Sequence, residues 1–433
     1  MSFRTEIPDI QWIAEKAATD PNFVFYTIVH YIDEELLTAA FGQLSKNKAP
    51  GIDGETVAEY AEDLQSNLRD LHARLTSKHY RASSIERVWI DKEDGSQRPI
   101  GLLVVEDKIV QKAVAILLEN VFESDFYDFS YGFRPGRNPH QALHAVRELI
   151  RKLNIDWIVD VDVQQFFDTV DRDVFFKLLH GRVKDGGLDR LLNEWFEAEV
   201  LDGEELSYSD KGTPQGGVVS PIIANIYLHF VLDEWFEREV KPRLKGRSFL
   251  IRFADDAVLG FEYEEDAHRV REVLLKRLEK YGLKAHPVKT RLVKFTRSAN
   301  GAGKDRTNGT FDFLGFTHYW AKSRRGYWVV KRRTIGKRRS RAICRFEKWC
   351  KDNRHMLVKE QWQKLSQKLR GYYQYFGIRG NYDSLYWVYY RLRKVWRRWL
   401  SRRSQKGAIN WNTFQKVLER LPLPRPRIVQ TWV

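Results

Sequence analysis

The chain has 433 residues, 43% hydrophobic and 13% aromatic, so it is expected to fold on its own into roughly two to four structural units. Its formal charge of +15 is uneven: residues 321–433 carry 31 Lys and Arg against 5 Asp and Glu, while residues 1–320 carry 42 against 53. The cationic end suits a segment that tracks a phosphate backbone. The two cysteines, Cys344 and Cys350, have the spacing of neither a zinc ribbon nor a redox pair and are expected to be reduced thiols. Nothing in Met1–Gln11 joins a basic start to an apolar run, and no stretch approaches the ~18 apolar residues of a membrane span. A soluble, cytoplasmic protein with no membrane contact is expected.

In chain order, the pattern predicts helix over residues 22–44, then a break of turn formers and cations from Ser45 to Gly54. Helix resumes from Thr56 to Leu75, and a strand follows from Ile85 to Ile90. Residues 91–98 form a hairpin turn, whose Asp94-Gly95 step favours tight reversal. Lys92 and Arg98 stand at its shoulders, where two cations could reach a triphosphate; as ordinary surface charges they would simply be solvated.

From Trp157 the sequence alternates, so Ile158, Asp160 and Asp162 share one strand face and Val159, Val161 and Val163 the other. Phe166 and Phe167 follow. The block Gly212–Gly217 precedes an apolar run, Val218–Leu228, whose helix starts near Ser220-Pro221. Ile251–Leu259 reads as two short buried strands joined by a tight turn, with Asp255 and Asp256 at the centre. Phe313-Leu314-Gly315-Phe316 reads as a strand with a glycine for close backbone approach. Beyond Tyr319, two basic clusters (Lys331–Arg333 and Lys337–Arg341) lead into helices ending near Trp349, Phe376 and Ser401. From Leu421, alternate prolines make the tail extended.

Two adjacent carboxylates amid apolar residues need a compensating positive charge. A second set of carboxylates at alternate strand positions supplies more oxygen ligands for a hard cation. Two Mg²⁺ roughly 3.5–4 Å apart would clamp the attacking and leaving oxygens of a phosphoryl displacement. The implied chemistry is nucleotidyl transfer.

Seven ordered blocks resemble the bacterial group II intron reverse transcriptases, or intron-encoded maturases: Gly51–Gly54, Arg98–Gly101, Tyr131–Arg137, Gly212–Gly217, Phe253–Asp256, His286–Thr290 and Phe313–Phe316. The resemblance implies an α+β right-hand polymerase with an antiparallel palm sheet and a helical thumb. Its expected parts are an N-terminal extension and start of fingers (1–84), fingers (85–155), palm with interleaved finger segments (156–318), thumb or maturase domain X (319–405) and a tail (406–433). Domain X, seen in Leu365–Phe376, favours an intron-type enzyme over a retron-type one.

The resemblance also implies residue roles. Asp162, Asp255 and Asp256, with the main-chain carbonyl of Val163, would hold two Mg²⁺, for which Mn²⁺ could substitute. Asp160 would support the strand or pair with a cation. Lys92 and Arg98 would grip the incoming nucleotide, Gln215 would lie beside its pocket, and Phe167 would exclude a 2′-hydroxyl while Phe166 serves the core. Lys289 would protonate the departing pyrophosphate. The implied partners are an RNA template, such as group II intron RNA, a DNA primer and dNTPs.

Phe253 stands where the family more often has Tyr, which keeps an aromatic ring there. No Cys/His-rich endonuclease domain follows the thumb, so target-DNA cleavage is not expected. Other readings are an RNA-binding splicing cofactor, a domesticated reverse transcriptase in phage defence or repair, and an RNA-copying RNA polymerase, against which Phe167 argues.

Overall fold

The computed structural model describes residues 8–46, 49–91, 97–202, 205–207, 216–287, 290–297, 309–403 and 407–431. Helices and strands are mixed along the chain, and the described strands form three sheets. The strands are β1 (Ile85–Asp91), β2 (Gln97–Leu102), β3 (Trp157–Gln164), β4 (Val200–Asp202), β5 (Glu205–Ser207), β6 (Ser248–Phe253), β7 (Asp256–Phe261), β8 (Lys284–Ala285), β9 (Arg291–Lys294), β10 (Thr310–Phe313), β11 (Phe316–Lys322) and β12 (Trp328–Thr334).

The central sheet is antiparallel, with β3 in its middle. β7 and then β6 lie on one side, while β9 and β8 pair with successive parts of the other edge. The alternation predicted for β3 has a packing consequence. Val159, Val161 and Val163 enter the large core with Leu250, Ala257 and Leu259, whereas Ile158 joins a second core with Phe249, Ile251 and Val258. The large core is organised around the helix Val105–Phe122, which is buried along most of its length.

The smaller sheets flank this frame. β1 and β2 form the predicted hairpin, with Ile90 opposite Arg98, and β4 adds to β1 in parallel. β10, β11 and β12 form an antiparallel meander. Helices Gly336–Asp352, Val358–Phe376 and Tyr382–Leu400 share a third core, in which Trp396 donates its indole N–H to Gln361 Oε1 at 3.0 Å. That core runs past residue 405, because Phe414 of the helix Trp411–Arg420 packs edge-on against Trp396 at 5.5 Å. Among the described residues, no helix is long and apolar enough to cross a membrane. Cys344 is exposed, Cys350 is buried, and both are free thiols.

Three expectations need correction. Residues 22–44 are not one helix: helix is confined to a 3₁₀ turn at Val29–Tyr31 and an α-helix at Glu34–Gly42. The reason is a distant carboxylate, since Asp185 accepts the N–H groups of Ile28 and Val29 while also capping the helix Gly186–Phe196. The block Phe313–Phe316 is a hairpin turn rather than a strand, with Leu314 and Gly315 at φ 48° and 85° between β10 and β11. Finally, Lys331–Arg333 lies within β12, with Arg332 buried at 1% exposure.

His318 is fully buried, stacked on Phe311 at 4.6 Å, and burial followed by the nearby Arg332 lowers its pKa to about 3. The unfolded chain takes up this proton near pH 6.5, the native protein only near pH 3, so stability is lost as pH falls through that window. Relative to wild type, His318→Phe should therefore gain stability between pH 7 and 4.5, by about 2–3 kcal/mol. Urea midpoints of both proteins across that range test this; parallel curves would contradict it.

Candidate active site

The site is built from the turn between β6 and β7. Phe253 pairs with Asp256, leaving Ala254 and Asp255 as a two-residue loop, with Ala254 at φ 57° as such tight turns require. In the next pairing Asp162 of β3 stands directly opposite Asp256. Directly opposed side chains share a face, with Cβ atoms about 4.5–5.5 Å apart, and like charges so placed repel. Asp162, Asp255 and Asp256 are each half-buried, which increases the need for a cation.

The structure thus pairs Asp162 with Asp256 and sets Asp255 beside them on the turn. Among the described residues, no group of three or more His, Cys, Asp or Glu is arranged to hold a metal ion, so the carboxylates do not form a closed cage. Their oxygens are nevertheless the donors that a hard divalent cation takes. The Val163 side chain faces the large core at 3% exposure.

Asp160 lies opposite Arg291, whose Nη2 is 3.5 Å from Asp160 Oδ2. Burial pushes the Asp160 carboxyl up to about 7 against the pull of Arg291. It is a supported, ion-paired residue of the strand.

The turn is held from behind by a network that the sequence reading did not identify. Arg252, fully buried, has the same strand parity as Leu250 and so points into the large core. Its Nε donates to Asp233 Oδ1 at 2.8 Å and its Nη2 to Asp233 Oδ2 at 2.6 Å. Its Nη1 donates to Asn225 Oδ1 at 3.0 Å and to the Ala254 carbonyl at 3.1 Å. Asn225 in turn donates to the Gly132 carbonyl at 2.9 Å.

Asn225 lies in the helix Ser220–Leu228 and Asp233 in its π-wound continuation, His229–Val240. Burial raises the Asp233 pKa while the adjacent guanidinium lowers it. The signal that could have found this network was an arginine at an inward position of a buried strand, which requires an acid beneath it.

Glycines bring the sequence blocks together. A Cβ on Gly132 would overlap the backbone of Ala254, so the Tyr131–Arg137 block lies against the acidic turn. A Cβ on Gly216, at φ 117°, would come within 2.8 Å of the Gly101 carbonyl, which sets Gly216 against the end of β2. Gln111 Oε1 accepts the Val218 N–H at 2.8 Å, two residues further on. His286 returns the chain to β3, its N–H donating to the Asp162 carbonyl at 2.7 Å. Tyr375, from the C-terminal turn of the helix Val358–Phe376, donates its hydroxyl to the Leu314 carbonyl at 2.8 Å. Burial raises the Tyr375 pKa, with Arg338 lowering it and Asp256 raising it.

The remaining expected residues divide. Phe166 is buried against Tyr227, whereas Phe167 beside it is half-buried. Arg98 lies in β2, and its backbone position opposite Ile90 is all that is described of it. Lys92, Gln215 and Lys289 lie outside the described residues. Their chain neighbours at Asp91, Gly216 and Thr290 lie at the β1 end, on Gly101 and beside Asp162 respectively.

Residues 90–318, just over half of the chain, match the family model of reverse transcriptase (RNA-dependent DNA polymerase). The protein YkfC of Escherichia coli K12 is 34% identical over 224 residues, covering 50% of this chain and 59% of that protein. The group II intron-encoded protein LtrA of Lactococcus lactis is 28% identical over 306 residues, covering 67% of this chain and 50% of that protein. The mitochondrial nuclear intron maturase 4 of Arabidopsis thaliana is 30% identical over 187 residues, covering 43% and 22%. The first two comparisons span about half of each relative's length. The extent of the family match, over the segment that carries Asp162, Asp255 and Asp256, places this chain in the reverse transcriptase family, on its group II intron and maturase branch.

Proposed function

We propose that the chain is an RNA-directed DNA polymerase of group II intron type, extending a DNA primer on an RNA template with dNTPs, and that it also binds intron RNA. The observation that carries this reading is the register that opposes Asp162 and Asp256 beside Asp255. In this reading the chain is a right hand, with fingers over residues 85–155, palm over 156–318 and thumb over 319–405. Two Mg²⁺ ions, held by Asp162, Asp255, Asp256 and the Val163 carbonyl, would supply Lewis acidity to the attacking and leaving oxygens; Mn²⁺ would substitute.

The chain's own groups do the rest. The primer 3′-hydroxyl gives up its proton to solvent as its oxygen bonds to the α-phosphate, the bond to the β-phosphate breaks, and pyrophosphate departs with a proton from Lys289. Arg98 and Lys92 bind the triphosphate oxygens, Gln215 lines the nucleotide pocket, and Phe167 occupies the space a ribose 2′-hydroxyl would need. The buried Arg252–Asp233 pair holds the turn, so its carboxylates are positioned before substrate arrives.

DNA synthesis on a primed RNA template should require added Mg²⁺ or Mn²⁺ and stop with EDTA. Synthesis in excess EDTA would overturn the reading. Phe167→Ala should raise ribonucleotide incorporation relative to deoxyribonucleotide by about 10²-fold or less, the scale of a lost steric contact. Single-nucleotide incorporation rates with dNTP and rNTP test this, and unchanged sugar selectivity would remove Phe167 from the role. A splicing-cofactor role is compatible with the same chain, supported by the maturase relatives and the 31 cations after residue 320.

A further inference from the structure

A cavity of about 870 Å³ lies between the helix Pro139–Lys152, the β11–β12 hairpin and the turn before the helix Tyr382–Leu400. Six cations line it: Arg147, Arg324, Arg325, Lys331, Arg332 and Arg379. One carboxylate, Asp383, lines it with them. None of the six cations forms a salt bridge to a carboxylate among the described residues. Glu148, next to Arg147, is held by Arg151 at 2.9 Å.

Arg332 makes this more than a charged surface. It is 1% exposed, and its one side-chain hydrogen bond among the described residues, Nη1 to the Leu143 carbonyl at 3.3 Å, is to a neutral group. Its Nε is buried without a hydrogen-bond partner. A buried guanidinium is normally compensated by an anion, since the effective penalty for leaving it bare is several kcal/mol. Burial first, and then the neighbouring Arg147, lower its pKa to about 9. Arg147 is itself half-buried, with its pKa lowered by burial and by Arg379 as well as Arg151. Arg332, Arg147 and Arg379 thus bring three guanidinium groups to the lining of one cavity, as a built anion site requires. The N-terminus of the 19-residue helix Tyr382–Leu400 adds its dipole at the same place.

The cavity is not an extension of the acidic site. Val330 pairs with Trp320, whose indole N–H donates to the Phe295 carbonyl at 2.8 Å, and Phe295 N–H donates to the Asp156 carbonyl. These contacts tie the pocket's Val330 to the Trp157 end of β3, and Trp157 is itself five residues, about 17 Å along the strand, from Asp162.

We propose that this cavity is a phosphate site for the backbone of an RNA held outside the primer–template cleft, with Arg332 at its floor and Arg147, Arg379, Arg324 and Arg325 at its walls. Phosphodiester is the anion that fits. Several guanidinium groups around one cavity match its charged non-bridging oxygens, and a cavity open to a hairpin tip admits a polymer. The proposal rests on the reading that the chain binds RNA.

The test is fluorescence anisotropy of the full chain with a labelled stem-loop RNA, and separately with a labelled RNA–DNA primer–template, each at several salt concentrations. Arg147→Gln with Arg379→Gln should weaken stem-loop binding about tenfold. It should also reduce the salt slope by about 1 for each residue removed. Arg324→Gln with Arg325→Gln, both at exposed positions, should act in the same direction and cannot be attributed to misfolding of the core. Unchanged stem-loop binding in both folded variants, or a loss confined to the primer–template, would overturn the pocket while leaving the polymerase reading intact. Failure of the intact chain to bind either RNA would overturn both.

Discussion

Asp255→Asn is expected to reduce primer extension by about 10³-fold or more, the scale set by several kcal/mol of lost transition-state stabilisation. The loss should fall on kcat rather than on the KM for dNTP, because the carboxylate acts on charge that develops during phosphoryl transfer. Position 255 is the second residue of a two-residue turn, where Asn is conformationally at ease, so the variant should fold and bind RNA as wild type does. Asp256→Asn is expected to lose activity too, but with a small gain in stability, since Asp256 directly opposes Asp162 and neutralising it relieves like-charge repulsion. Pre-steady-state extension with urea denaturation of both variants measures the two effects. Near-wild-type kcat in Asp255→Asn would remove it from the chemistry.

The second large effect is expected at Arg252. Arg252→Met leaves Asp233 fully buried with a charge and no partner, which should cost about 3–5 kcal/mol of stability. Removing both charges with Arg252→Met and Asp233→Leu should restore most of that loss, because a well-packed apolar pair is often as stable as a buried ion pair. Restored stability should not restore full activity. The double variant still lacks the guanidinium that binds the Ala254 carbonyl, so the acidic turn is free to shift while the fold is sound. Urea midpoints and kcat for the single and double variants separate the two roles. If the single variant is as stable as wild type, the buried pair is not supporting the turn.

Much of this architecture is readable from local pattern. The alternation of Asp160 and Asp162 with valines predicts which residues share each face of β3, and the apolar runs around Asp255 predict the β6–β7 hairpin. The Asp94-Gly95 step lies between two strands that do pair. The long helices after Gly336 follow their apolar spacing. What was misread depends on contacts distant in sequence. Residues 22–33 have helical periodicity, but two of their N–H groups are bound by Asp185, more than 150 positions away.

The buried arginines show the same limit. Arg252 announces that an acid must lie beneath it, but nothing local selects Asp233, nineteen residues upstream, from the other acids. Arg332 sits in a run of three cations that composition alone assigns to the surface. Its parity with Val330 and Thr334 was the signal that it turns inward. Close approaches such as Gly132 on Ala254 are visible in sequence only as glycines, and become meaningful when the partner backbone is known.

The central claim is that the carboxylates at the β6–β7 turn make this chain a polymerase that copies RNA into DNA. Its most direct test is extension of a DNA primer on an RNA template with dNTPs and Mg²⁺, comparing the intact chain with an Asp255→Ala, Asp256→Ala variant of matched folding and RNA affinity. The account predicts template-directed DNA from the intact chain and none from the variant. No DNA from a folded, RNA-binding intact chain, or equal synthesis by both proteins, would contradict it.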